Sequence, residues 1–364
     1  MNETNQNKLN NDITIIVNEV LEITICAVKA IILYGSYGRG EGAFYSDENG
    51  NIHTYNDYDL ILVVDDFIES IKINQIAHSL EEKLDVKWID ISQKKKSKLK
   101  NLKLTIFNYD LKYGSRVIYG DKEILDNVPK FKSSKISLKE AETLYFTRLY
   151  TFIGSITENN FVIGVKDENA RFFRNQMAKA ILAVVDSLLL IKGEYHYSYK
   201  KRGSLIQQFY PDKKDLIKMA KWALSEKLNP KDKSMKGEDT LDFYTKVLKI
   251  YKKEMFYVLS KFYGRDIIST RDIEIRRYLS IQEFILRIKT LIKSRSFNCY
   301  QKSFQIEMAQ SYFVEAFLLE DKERSLFLRK SVRIVKKINP NITFDLNNWD
   351  NLRKVIADLR QKTK

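Results

Sequence analysis

Cysteine is almost absent from this 364-residue chain. Only Cys26 and Cys299 occur, far apart and with no His or Cys at metal-ligand spacing, so neither a disulfide framework nor a zinc site is indicated. Both read as reduced core thiols. Long apolar runs are missing as well. Even Ala178 to Ile191 is interrupted by Asp186 and falls short of the roughly 18 residues that span a bilayer, so no membrane segment is expected. Residues Met1 to Asn11 are polar and rich in asparagine, without the basic-then-apolar order of a signal peptide, which predicts a cytoplasmic protein. No Gly-Lys-Ser/Thr follows the glycine-rich stretch near residue 38, and its Gly38, Gly40, Gly42 spacing is not the dinucleotide fingerprint. A P-loop and a Rossmann turn are thereby excluded.

What is present is apolar mass and positive charge. At 44% apolar residues the chain can bury cores, and its length allows two domains. Sixty-two Lys and Arg against 47 Asp and Glu give a net charge of +15. A field of that sign attracts polyanions such as triphosphates, nucleic acid or anionic membrane without choosing among them. The densest run, Lys94, Lys95, Lys96, Lys98, Lys100 and Lys103, reads either as an RNA contact or as a solvated face.

The chemistry-bearing stretch is Gly35-Ser36-Tyr37-Gly38-Arg39-Gly40-Glu41-Gly42, which follows the strand-like run Ala30 to Tyr34. Glycines there let backbone N–H groups approach phosphate oxygens with no Cβ in the way. Downstream, Asp57-Tyr58-Asp59 opens the very apolar run Leu60 to Val64. Side chains two apart on a strand share a face, so Asp57 and Asp59 converge, and hard oxygen ligands of this kind suit Mg²⁺ shared with substrate phosphates.

The order of apolar strand, Gly-Ser, glycine-rich turn and Asp-x-Asp heading a second strand resembles the DNA polymerase beta-like nucleotidyltransferase superfamily, over about residues 28 to 120. The resemblance implies transfer of a nucleoside monophosphate from a triphosphate, with two Mg²⁺ ions, for which Mn²⁺ can stand in. It assigns Gly35, Ser36 and Arg39 to the nucleotide and Asp57 and Asp59 to the metals. It also calls for a third carboxylate on the next strand, expected over Val86 to Ser92. Asp90, sharing a mixed face with Val86, Trp88 and Ser92, is preferred to Asp85, whose face holds Ile89 and Ile91. Its role would be to complete the inner metal site and help to deprotonate the acceptor hydroxyl. A helical-domain lysine reaches the triphosphate in several members, and Lys179 is the candidate, with an ion-paired or snorkelling lysine as the alternative.

Fourteen residues, Ala43 to Asn56, separate the last glycine from Asp57, and Asn49-Gly50 predicts a β-hairpin there, either an acceptor selector or a surface elaboration. Helices are predicted over Asp12 to Val28 and Ile68 to Leu84, and Thr105 to Tyr113 leads to a closing strand near Val117. Pro129 and Lys130 to Lys135 mark a linker. From Ser137, where Ser137-x-x-Glu140 has capping-box spacing, the pattern is helical: Asn169 to Ile191, Lys213 to Leu228, Thr240 to Phe262, Ser280 to Lys293, Gln301 to Leu319, Asp321 to Ile338 and Trp349 to Gln361. Tyr195 to Arg202 combines rings, hydroxyls and cations, and reads as a base- or anion-binding segment or as a helix-end loop. None of His53, His78 or His196 has an arginine four to six residues before it, so a nuclease reading of the helical part is unsupported.

The expected fold is α+β: a nucleotidyltransferase domain with a small mixed sheet over residues 1–130, then an all-α domain over 136–364 that covers the site, recognises the acceptor and could pair two copies. The expected partners are a nucleoside triphosphate and a small-molecule hydroxyl. A protein side chain, an RNA 3′ end and a non-catalytic regulatory module are the alternatives.

Overall fold

Two strands of this chain are apolar on both faces, and the fold covers both faces. In the computed structural model, residues 3–362 are described apart from 26, 48, 232, 280–283, 286–287, 290–291, 293–297 and 343–348. Cys26, the side chain of Cys299 and most of the helix expected over Ser280 to Lys293 lie outside the described residues. The chain is α+β, with a small mixed sheet in its first part and an all-α region after it.

The elements that build the sheet are α1 (Glu3–Thr24), β1 (Val28–Tyr34), a single helical turn α2 (Gly35–Gly38), β2 (Phe44–Ser46), β3 (Ile52–Thr54), β4 (Tyr58–Val64), α3 (Ser70–Leu84), β5 (Ile89–Lys95), α4 (Ile106–Tyr113) and β6 (Arg116–Gly120). Four strands pair in the order β5-β4-β1-β6. Here β4 and β5 are parallel, joined by the crossover helix α3, and the other pairs are antiparallel. Alternation sends Ile31, Leu33, Leu60, Leu62 and Val64 to one side, onto Leu9, Ile16 and Val20 of α1 and Ile76 and Leu80 of α3. Ala30, Ile32, Ile61 and Val63 go to the other, onto Leu99, Leu111, Ile124 and Val128. The buried face of α1 also carries Asp12, which accepts the Tyr58 hydroxyl at 2.7 Å and pairs with Lys8 at 2.6 Å, so β4 is pinned to the helix by a satisfied polar contact.

The expected hairpin forms from β2 and β3, paired Phe44 to Thr54. Asp47 holds its turn by accepting the N–H groups of Asn49 and Asn51 at 2.9 and 2.8 Å. The third strand is displaced, from Val86–Ser92 to Ile89–Lys95. The physical reason is the end of α3: Asp85 adopts φ 52°, and Val86 N–H bonds back to the Glu81 carbonyl, so the chain cannot pair until Ile89. As an edge strand β5 then runs on through Lys94 and Lys95, charges that suit an edge.

The chain divides into two compact units. The first holds Met1–Ser137 together with Lys192–Phe209 and Leu224–Pro230. The boundary expected at 130–136 matches the end of its first stretch, but the two later segments also belong to it, an interleaving that a linear division into 1–130 and 136–364 does not contain. The expected linker is packed within that unit, where the Tyr113 hydroxyl bonds both main-chain groups of Phe131 and Ser133 Oγ donates to the Gly193 carbonyl at 3.1 Å.

The second unit is all α. It contains α5 (Lys139–Gly154), α6 (Glu158–Val162), most of α7 (Asp167–Lys192), the start of α9 (Lys214–Leu228), α10 (Gly237–Tyr263), α11 (Thr270–Leu279) and the helices Asn298–Ala316, Asp321–Ile338 and Trp349–Gln361. Between α7 and α9 the helix α8 (Tyr199–Phe209) belongs to the first unit. Leu138, already helical in its backbone, directly precedes α5, and a capping box closes between Thr157 and Asn160 at α6. Aromatic edges of Phe152, Phe161, Tyr244, Phe313, Phe317 and Trp349 interlock in the core of this unit. No helix among the described residues is long and apolar enough to cross a membrane.

Candidate active site

Strand register brings the acidic side chains together. Asp59 on β4 is the direct partner of Asp90 on β5, and partners in a parallel pair project to the same side. Asp57 stands two residues before Asp59 and shares that side. Asp57 and Asp90 are exposed and Asp59 half-buried. Asp85 is elsewhere: it ends α3 in the left-handed region, with a side chain 86% exposed and 3.5 Å from Nδ1 of His53.

Asp59 is seated against the glycine turn. Gly35 follows β1 with φ +69°, and a Cβ there would lie 1.9 Å from Oδ2 of Asp59. Glycine is therefore required twice at this position, by its backbone conformation and by the carboxylate that occupies the place of a side chain. Burial pushes the Asp59 carboxyl up to about 6; the charges of Asp57 and Asp90 push in the same direction, while Lys227 and Arg39 oppose them. No hydrogen bond or ion pair engages the carboxylates of these three aspartates among the described residues. Three anions are thus held near one another without protein donors, an arrangement unfavourable unless water or a cation faces it.

Carboxylate oxygens are the kind of ligand that Mg²⁺ takes, one or two of them with water and phosphate oxygens completing its shell. Among the described residues no three Asp, Glu, His or Cys side chains lie close enough together to hold a metal ion by themselves.

The turn itself is more closed than an open glycine loop. Residues 35–38 make one helical turn, in which Arg39 and Gly40 donate to the carbonyls of Gly35 and Tyr37, both at 3.2 Å, and Glu41 N–H donates to the Ser36 carbonyl at 2.9 Å. Ser36 is buried. Tyr37 anchors the turn from below: its ring lies 4.8 Å from that of Tyr58, and its hydroxyl donates to the Ala43 carbonyl at 2.7 Å. Arg39, expected on the nucleotide, has a side chain only 6% exposed. Its Nη1 is 3.3 Å from Asp110, its Nε 3.8 Å from Glu41, and its guanidinium lies over the ring of Tyr199 at 4.7 Å. These contacts tie Arg39 to the support of the turn.

The segment Tyr195 to Arg202 supplies the other side of that support. The Tyr195 hydroxyl donates to Asp110 at 3.0 Å, and Arg202 lies over the rings of Tyr195 and Tyr199 at 5.2 and 4.3 Å. Tyr195, Tyr199 and Arg202 are turned on one another and on Arg39. Lys200 and Lys201 are exposed, and from Tyr199 the segment is helical rather than loop. Asp110 is buried between Tyr195 and Arg39.

Two charged groups near the site were not singled out by sequence. Lys227, at the end of α9 in the first unit, is 5% exposed, and its charge acts on Asp59. Nothing in the sequence separates it from the other lysines of its helix. Glu41 carried a weak signal, as the one acid inside the glycine run. Lys179 lies in the second unit, half-buried on α7. In the lysine run, Lys94 lies 5.1 Å over the ring of Phe107 with burial drawing its pKa down, and Lys95 pairs with Asp66 at 2.8 Å. Lys96, Lys98, Lys100 and Lys103 are exposed.

No protein-family model matches the chain, and neither a curated protein nor a solved structure matches it.

Proposed function

We propose that the first unit is a Mg²⁺-dependent nucleotidyltransferase of the DNA polymerase beta-like kind, which moves a nucleoside monophosphate from a triphosphate to the hydroxyl of a small molecule. The observation that carries this reading is the crowding of Asp57, Asp59 and Asp90 at the heads of β4 and β5, without protein donors, beside a turn in which Gly35 must be glycine. Like charges held side by side disfavour one another, and a cation facing them would relieve that, which supports the reading.

In this reading Asp57 and Asp59 hold the metal ions, with Asp90 on the inner one. Bound there, Mg²⁺ supplies positive charge against the charge that develops on phosphate oxygens. Ser36 and the amides at the start of the turn hold the β- and γ-phosphates. Lys227 adds positive charge on the side of Asp59. Asp90 accepts the proton of the acceptor hydroxyl; the acceptor oxygen forms a bond to the α-phosphorus, the bond to the bridging oxygen breaks, and pyrophosphate leaves with that electron pair. A small-molecule acceptor leads because the sequence carries no recognisable RNA-binding module.

The test is pyrophosphate release by the full chain with each of ATP, GTP, CTP and UTP plus Mg²⁺, alone and with small-molecule, protein and RNA fractions of a cell extract, beside Asp57→Asn and Asp59→Asn. Release that needs both aspartates supports the chemistry, and the stimulating fraction identifies the acceptor class. Triphosphate binding with no release in any fraction would favour a regulatory module instead.

A further inference from the structure

Glu41 is joined to both sides of a junction. Its N–H closes the turn by donating to the carbonyl of Ser36 at 2.9 Å. Its buried carboxylate accepts from Ser198 Oγ at 2.8 Å, Tyr199 N–H at 2.8 Å and Lys200 N–H at 3.1 Å, at the N-terminus of the 11-residue helix α8. Ser198 Oγ in turn accepts from Lys201 N–H at 3.2 Å, so the first amides of α8 are satisfied jointly by Ser198 and by an acid 157 to 159 residues earlier. A carboxylate in this position gains from both the helix dipole and charge-assisted hydrogen bonds. The same turn is tied a second time through Arg39 to Asp110, which also receives Tyr195.

We infer that Glu41 is a positioning residue for the triphosphate turn: seated on the N-terminus of α8, it sets where Ser36 and the neighbouring amides stand relative to Asp59. The inference rests on the nucleotidyltransferase reading for its consequence in turnover, but not for the latch itself. Cutting the latch leaves β4 and β5 untouched, so the carboxylates keep their register while the phosphate side of the site loosens.

The experiment compares the full-length protein with Glu41→Gln and Ser198→Ala by hydrogen exchange over residues 35–41, Mn²⁺ binding, and steady-state kinetics in the triphosphate. One carboxylate oxygen accepts from Ser198 Oγ and Lys200 N–H and the other from Tyr199 N–H, so Gln, which replaces one of the two oxygens by an NH₂ donor, cannot accept all three. Expected are exchange at 35–41 faster by roughly tenfold or more, a KM for triphosphate raised by a similar factor, and kcat and Mn²⁺ affinity close to wild type. Unchanged exchange in both variants overturns the latch, whether or not the protein is an enzyme. Faster exchange with KM unchanged, or kcat lost along with KM, overturns the positioning role. A wild-type protein that turns over no triphosphate sinks the nucleotidyltransferase reading and the positioning role with it, while exchange still decides the latch. Should Glu41→Gln fail to fold, Ser198→Ala, which removes one of the three bonds, carries the same readouts.

Discussion

The first unit holds two groups of acidic side chains and treats them in opposite ways. Glu41 and Asp110 are buried and satisfied: one accepts a hydroxyl and two helix N–H groups, the other a tyrosine hydroxyl and a guanidinium. Asp57, Asp59 and Asp90 are drawn together by strand register and given no such donors, and Asp59 is pushed upward by burial and by its acidic neighbours. A satisfied buried acid holds structure, and a crowded, donor-poor set is open to a ligand. The contrast separates support from site without appeal to any relative.

The largest expected effect breaks the contrast from the side of the site. Asp59→Asn and Asp57→Asn should each reduce pyrophosphate release to background while the protein stays folded. Because Asn removes a charge that its neighbours oppose, the metal-free Asp59→Asn protein should melt at or above the wild-type temperature. Mg²⁺ should raise the melting temperature of wild type and leave that of the variant unmoved, since ligand binding to the native state alone stabilises it. A variant that melts lower and still responds to Mg²⁺ would place Asp59 among the supporting acids.

Gly35→Ala should come next. The added methyl would sit 1.9 Å from Asp59 Oδ2 and would be forced to φ +69°, so the carboxylate or the turn must move. Displacements on this scale cost roughly a hundredfold in turnover. A loss of that size, read as kcat/KM on protein that is still folded, would show that the turn and the carboxylates form one site.

From the side of the support, Asp110→Ala should do the reverse. It leaves Arg39 buried without its 3.3 Å partner and the Tyr195 hydroxyl without its acceptor. Breaking a buried pair by removing one member costs about 3 kcal/mol or more, measurable by urea denaturation. A loss below about 1 kcal/mol would mean that Arg39 finds other partners and that the support is not built as drawn.

The site half of this contrast was largely legible in the sequence, because strand alternation is a local rule. It placed Asp57 and Asp59 on one side and preferred Asp90 to Asp85, and the register agrees although β5 begins three residues later than expected. The hairpin was legible from Asn49-Gly50, and the final helix Trp349–Gln361 from its apolar spacing. The support half was not. Glu41 meets Ser198 across 157 residues and Tyr195 meets Asp110 across 85, distances over which no periodicity carries information. For the same reason the return of 192–209 and 224–230 to the first unit, and with it Lys227, left no trace in a linear reading. The contacts of Arg39 with Asp110 and Tyr199 were equally illegible, because a basic residue in a glycine turn looks the same whether phosphate or carboxylate awaits it.

The smallest effect sharpens the contrast most finely, because it compares two glycines of one turn. Gly40 has φ +71°, nearly the angle of Gly35, but a Cβ on it would meet nothing within 4 Å. Gly40→Ala therefore carries the conformational penalty alone, about 1 kcal/mol, and no collision with the site. Denaturation should register that penalty, while kcat/KM should stay within about twofold of wild type. If Gly40→Ala instead loses activity as Gly35→Ala does, conformational strain alone disables the turn, and the contact between Gly35 and Asp59 is not what makes glycine necessary there. Equal stability losses with unequal activity would leave that contact as the feature that joins the phosphate turn to the carboxylates.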